Sequence, residues 1–158
     1  DAYMAIRGLR TLHTRLGHHG AAALQVAEWL EHQPEVHSVM CPALPSDPGH
    51  AIWKRDFTGI CGLIGAVLHP ASELAVAAMV ERLELFGLGF SWGGYESLAI
   101  PVDPQLKART HKLTYPGPVL RLHIGLERVD DLIADLRQGL DTLSQDTAAP
   151  QCKLRAAG

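Results

Sequence analysis

One segment constrains this chain more than any other: residues 119–124 alternate strictly, and residues 129–140 right after them repeat with helical spacing. Leu120, Leu122 and Ile124 fall on one face of the first stretch, with Arg121 and His123 on the other, which is the pattern of a half-buried strand. Val129, Leu132, Ile133, Leu136 and Leu140 follow the i, i+3, i+4, i+7 rule of an amphipathic helix. Asp130 and Asp131 sit in its first turn, where the helix dipole favours negative charge. An apolar strand face and an apolar helix stripe joined by so short a link must cover one another. Residues 87–90 and 97–100 read as further short strands, close enough in sequence to be antiparallel neighbours. The expected fold class is therefore α+β, a small, mainly antiparallel sheet with helices packed mostly on one face.

The rest of the chain fits that plan. Val36 to Cys41 is a strand candidate closed by Pro42, Pro45 and Pro48, and Ile60 to Leu68 is a nearly continuous apolar run, as in a buried strand. The proline-rich loop is followed by Gly49 to Thr58, with Trp53, Lys54, Arg55 and Asp56 packed together. Ser72 is a good N-cap for a helix to about Leu85, whose Val76, Met79, Val80 and Leu83 share a face. At the start, Tyr3 to Leu16 and Ala21 to Gln33 read as two helices, or one helix interrupted near Gly17 and Gly20, ending before Pro34. Arg7, Arg10 and Arg15 line one side of it.

Composition removes several function classes. At 158 residues the chain is one domain with room for a real core, and 47% apolar against 20% charged residues excludes long-range disorder. A net charge of -3 supplies no basic field for nucleic acid or anionic lipid. No apolar run is long enough for a membrane span, and Asp1-Ala2-Tyr3-Met4 does not look like a secretory leader, so a soluble, cytoplasmic protein is expected. Cys41, Cys61 and Cys152 are too scattered for a disulfide framework; Cys41 and Cys61 read as free buried thiols. His13, His18 and His19 lack the spacing and the carboxylate or thiolate neighbours of a metal site, and read as a surface cluster. Neither a phosphate-binding glycine loop nor a G-x-S-x-G elbow is present.

Two places could carry chemistry. In Ser91-Trp92-Gly93-Gly94-Tyr95-Glu96-Ser97, paired glycines let a ligand approach the main chain, and Ser91 and Trp92 offer a hydroxyl, an indole N–H and an apolar wall. A tight hairpin around a buried Trp92 is the competing structural reading. Arg121, on an otherwise apolar strand, is costly unless paired, and its planar guanidinium suits a carboxylate gripped by two parallel bonds. A structural ion pair with Glu96, Glu127 or an Asp would satisfy it equally. His123 shares its face and reads as a packed neutral histidine.

Longer motifs identify the setting. Arg7-Gly8-Leu9-Arg10-Thr11-Leu12, Val26-Ala27-Glu28-Trp29-Leu30 and Pro42-Ala43-Leu44-Pro45-Ser46 are followed by Gly49-His50 and Trp53-Lys54-Arg55-Asp56-Phe57-Thr58-Gly59. Then come the Ser91 to Leu98 segment, Arg121-Leu122-His123-Ile124-Gly125-Leu126-Glu127 and Val129-Asp130-Asp131-Leu132-Ile133. In this order they resemble the C-terminal portion of the Cys/Met-metabolism family of pyridoxal-phosphate enzymes, from about Asp1 to Leu140. Trp92 and His123-Ile124 resemble the cystathionine beta-lyase branch, where gamma-type relatives usually carry Leu and Ser-Val. Phe90 departs from the pattern, in which a Tyr is familiar.

The resemblance implies a C-terminal domain of the fold-type I kind. It implies cleavage of the Cβ–S bond of cystathionine to homocysteine, pyruvate and ammonia in methionine biosynthesis, in homotetramers whose active sites use both subunits. It assigns Arg121 to the substrate's α-carboxylate, with Ser91 and Trp92 beside it. The family's Schiff-base lysine and phosphate cup belong to a preceding large domain. Lys54, Lys107, Lys112 and Lys153 do not stand in the family's Ser-x-Lys context. The chain begins with Asp1, in what resembles the interdomain helix. A C-terminal fragment, inactive alone, is therefore expected. Residues 1–33 would be the helical linker from the pyridoxal-phosphate domain, 34–141 the α+β domain and 142–158 a flexible tail. Other readings stay open: a cysteine or cystine C–S lyase, a gamma-type relative, or a non-catalytic amino-acid-binding or subunit-interaction module.

Overall fold

In the computed structural model, residues 1–147 are described. The order is α1 (Ala2–Arg10), α2 (Leu12–Leu30), β1 (Val36–Met40), α3 (His50–Asp56), β2 (Leu63–Leu68) and α4 (Glu73–Glu81). Then follow β3 (Gly87–Leu88), β4 (Leu98–Pro101), α5 (Asp103–Lys107), β5 (Val119–His123) and α6 (Val129–Thr147). The five strands form one sheet in the order β1-β2-β5-β4-β3. All pairs are antiparallel except β3 with β4. The expected α+β class holds.

The alternation of β5 sets the layering. Leu120, Leu122 and, just beyond the strand, Ile124 are buried, and they share a core with Ala23, Val26 and Leu30 of α2, Val76 and Met79 of α4, and Leu132, Leu136 and Leu140 of α6. Three helices thus cover one sheet face, as the helical stripes require. Ser72 caps α4 as expected, its hydroxyl accepting from Ala75 N at 3.1 Å. α6 runs on to Thr147 with Leu143 buried, past the boundary placed at 141; residues 148–158 of the expected tail lie outside the described residues.

Several local expectations need correction. The N-terminal helices part at Thr11, not at Gly17 or Gly20. Thr11 leaves the helical region with φ -105° and ψ 0°, and its hydroxyl and the Arg15 guanidinium both donate to the Gly8 carbonyl, at 3.3 and 2.9 Å. Gly20 instead lies in the helix as a contact point, where a Cβ would stand 2.7 Å from the Ile60 carbonyl oxygen. His19, counted with the surface cluster, is buried. Residues 50–56, to which the sequence assigns no element, form α3; none of its residues is buried, so it carries no apolar periodicity to betray it. Cys41 is buried, its thiol pushed up chiefly by that burial, whereas Cys61 is exposed; Cys152 is outside the described residues.

The parallel pairing of β3 with β4 also differs from the expected hairpin. Its cause lies on α6. Asp135, almost fully buried, accepts from Glu84 N and Leu85 N at 2.9 Å and from Phe86 N at 3.2 Å. The carboxylate fixes the direction in which the chain leaves α4, so Gly87 and Leu88 enter the sheet edge alongside Leu98 and Ala99. Asp135→Ala strands three amide donors and should lower the unfolding free energy by about 3 kcal/mol, with Asp135→Asn losing less. Urea denaturation of the two variants checks this.

Candidate functional site

The second sheet face is where β5 shows its polar residues. Arg121 stands on the central strand, opposite Gly65 of β2 and Ile100 of β4. Its guanidinium lines a pocket of about 390 Å³ with Met40, Phe90, Leu106, Arg109 and Tyr115. Nη2 donates to the carbonyls of Gly89 at 3.3 Å and Ser91 at 3.4 Å. Among the described residues Arg121 makes no ion pair, so the structural pairing with Glu96, Glu127 or an Asp is not realised. Carbonyl oxygens orient the guanidinium without neutralising it, and an anionic ligand is the natural complement to what is left over.

Glu127 is engaged elsewhere. Its carboxylate accepts from Ser97 N and from the Ser97 hydroxyl, both at 2.8 Å, and that same hydroxyl oxygen accepts from Gly125 N at 2.8 Å. Ser97 is completely buried. The three groups lock the end of the 89–97 loop to the turn after β5. This clamp went unread in the sequence because its members lie 30 and 28 residues apart and carry no local signature.

The loop itself is an open turn, and the hairpin with a buried tryptophan does not form. Trp92 is 64% exposed, and Phe90 and Tyr95 are exposed with it. The structure brings Ser91 to Arg121 through its main-chain carbonyl, while the Trp92 side chain stands clear. Gly93 has φ +79°, the only positive φ among the described residues. Its N–H lies 3.1 Å from His123 Nε2, and its carbonyl accepts from Arg15 Nη1 at 3.4 Å. Tyr95 O accepts from Leu126 N at 2.8 Å.

His123 is packed, as expected, at 2% exposure. Its ring centroid is 5.3 Å from that of His19, whose Nδ1–H reaches the Ile124 carbonyl at 2.8 Å. Burial pushes the His123 imidazole below its ordinary range; the neighbouring His19 and Arg121 push the same way, and the Gly94 carbonyl and Glu127 oppose them.

The open sheet face thus bears an arginine with no ion-pair partner among the described residues, beside a tethered, solvent-facing loop. Comparison with known proteins gives the setting. The chain belongs to the Cys/Met metabolism PLP-dependent enzyme family, whose model matches residues 1–141. It is 48% identical over 142 residues to a cystathionine beta-lyase of Salmonella typhimurium, covering 87% of this chain and 36% of that protein. It is 49% identical over 143 residues to the cystathionine beta-lyase of Bordetella avium, covering 89% of this chain and 36% of that protein. Among solved structures it matches cystathionine gamma synthase from Xanthomonas oryzae pv. oryzae in complex with aminoacrylate and cysteine. The TM-score is 0.78 at 35% identity, over 92% of this chain and 38% of that one. The chain thus spans little more than a third of the length of its curated relatives.

The family uses pyridoxal phosphate, which needs a lysine amine at the reacting centre. The described residues do not provide one. Lys54, Lys107 and Lys112 are all exposed, Lys107 pairs with Glu73 at 3.2 Å, and none lines the Arg121 pocket; Lys153 is outside the described residues. Among the described residues the pocket beside Arg121 is thus lined by arginine, by other polar and apolar side chains, and by no lysine.

The two adjacent glycines should respond differently to substitution. Gly93→Ala forces a side chain into the left-handed region and should cost about 1–2 kcal/mol of loop stability. Gly94→Ala meets open space without a positive φ and should fall within about 0.5 kcal/mol of the parent. Amide hydrogen exchange across the loop separates the two.

Proposed function

We propose that this chain is the C-terminal, substrate-carboxylate-binding part of a pyridoxal-phosphate C–S lyase acting on cystathionine, with homocysteine, pyruvate and ammonia as products. The observation that carries the reading is Arg121: a guanidinium on the central strand, oriented by two main-chain carbonyls and left without a carboxylate partner among the described residues. Its planar donor fork suits an α-carboxylate. Ser91, whose carbonyl accepts from Arg121, and the exposed Trp92 beside it are the neighbouring substrate-binding residues in this reading. The cofactor supplies an electron sink when bound; in this reading it is held, with its lysine, by the large domain of the complete enzyme.

α1 supports the linker assignment for residues 1–33. It has no buried residue, and Tyr3, Met4, Ile6 and Leu9 are exposed on it. Such a face suits docking against further protein, in keeping with a homo-oligomer built from complete subunits. No helix among the described residues is long and apolar enough to cross a membrane, which accords with a cytoplasmic enzyme of methionine biosynthesis. A lyase preferring cysteine or cystine is separated by comparing turnover of cystathionine and cystine, because Arg121 reads only the amino-acid end that the substrates share.

Two outcomes are expected. The purified chain, supplied with pyridoxal phosphate and cystathionine, releases no pyruvate; release by this polypeptide alone would overturn the assignment. In the complete enzyme Arg121→Ala removes one partner of a charge-assisted pair, costing about 2–5 kcal/mol, roughly 30-fold to several thousand-fold in kcat/KM. Steady-state kinetics reads this, and unchanged kcat/KM would exclude Arg121 from the substrate site.

A further inference from the structure

His123 Nε2 faces two main-chain groups of opposite kind. Gly93 N lies 3.1 Å from it and Gly94 O lies 3.2 Å from it. An imidazole nitrogen carries either a lone pair or a proton, so it serves one of these at a time. With the proton on Nδ1, Nε2 accepts from the Gly93 N–H. With a proton on Nε2 it donates to the Gly94 carbonyl; the neutral tautomer then offers Gly93 N–H only the longer contact to Nδ1, at 3.5 Å, and the imidazolium offers it no acceptor. The surroundings leave room for the exchange. Neither glycine has a heavy atom within 4 Å of where a Cβ would stand, and the backbone at Gly93 is in a region that only glycine enters freely.

We propose that His123 is a positioning residue for the substrate loop. Its Nε2 selects between the Gly93 N–H and the Gly94 carbonyl, and so sets where Ser91 and Trp92 stand beside Arg121. The Arg15 guanidinium, reaching from α2 to the Gly93 carbonyl, anchors the Gly93–Gly94 peptide that lies between these two groups. The consequence for catalysis rests on the assignment of Ser91, Trp92 and Arg121 to the substrate pocket; the exchange itself does not.

The direction of the pH effect follows from what faces the ring. Those groups are His19 from α2, Arg121 on the same strand and Glu127 in the turn beyond it, the last already committed to Ser97. Burial, the largest influence, lowers His123 below its ordinary value of 6.5. Above that value the ring is neutral in folded and unfolded chain alike, and the packed neutral ring contributes its full stabilisation. As pH falls below 6.5 and through the lowered folded pKa, the unfolded chain takes up the proton first and that contribution is lost. In the same window the imidazolium turns Nε2 into a donor toward Gly94.

The test is a nuclear magnetic resonance titration of the ¹⁵N-labelled protein from about pH 8 to about pH 5, following the His123 ring, the Gly93 amide and the Trp92 indole N–H. All three should shift with one midpoint below 6.5, and in His123→Gln the pH dependence of the Gly93 amide should vanish. A Gly93 amide or Trp92 indole that stays fixed while the His123 ring titrates overturns the proposal, without recourse to any variant. Persistence of the Gly93 titration in a folded His123→Gln protein overturns it too. The readout needs no turnover, so it fails or succeeds independently of the lyase assignment.

Discussion

A guanidinium held in place by neutral oxygens is the interaction on which the rest of this structure turns. Arg121 stands on the central strand of the sheet, and Gly89 and Ser91 offer it carbonyls rather than carboxylates. Carbonyls fix the direction of an arginine at small electrostatic gain, so its charge stays available to a ligand. A carboxylate at the same distance would have made a structural ion pair and closed the site. The nearest candidate in sequence, Glu127, is spent on Ser97. The site's chemistry therefore depends as much on where Glu127 is directed as on where Arg121 stands.

The 89–97 loop is laced down at alternate residues. Arg121 takes Gly89 and Ser91, His123 and Arg15 take Gly93, Leu126 takes Tyr95, and Glu127 takes Ser97. Most of these partners lie on β5 or in the turn after it; Arg15 comes from α2. A loop tied through its main chain leaves its side chains free, which is why Phe90, Trp92 and Tyr95 face outward without the segment being loose. Behind it, Asp135 of α6 fixes the chain before β3, so the loop is constrained at its entry as well as at its exit.

What was legible in the sequence was whatever repeats. The alternation of residues 119–124 and the helical stripe of 129–140 gave the two layers, and the positions of Leu120, Leu122, Leu132 and Leu136 in the core follow directly. Arg121 stood out because it breaks an apolar pattern. The features that escaped are non-periodic or long-range. α3 buries nothing, so it leaves no stripe. The parallel edge pair depends on a carboxylate 49 to 51 residues from the amides it binds. The helix break at Thr11 rests on a single hydroxyl and a single arginine, whereas Gly17 lies within α2 beside open space and Gly20 serves close packing against Ile60.

The proposed function divides the labour: in it, this chain recognises the carboxylate end of the substrate, and other protein binds the cofactor with its lysine. The most direct measurement is the visible absorption spectrum of the purified chain after mixing with pyridoxal phosphate and exhaustive dialysis. The account predicts that the cofactor's band is lost on dialysis, because Lys54, Lys107 and Lys112 lie outside the Arg121 pocket. A band that persists and then shifts on addition of cystathionine would contradict it, placing the cofactor's anchor in this polypeptide.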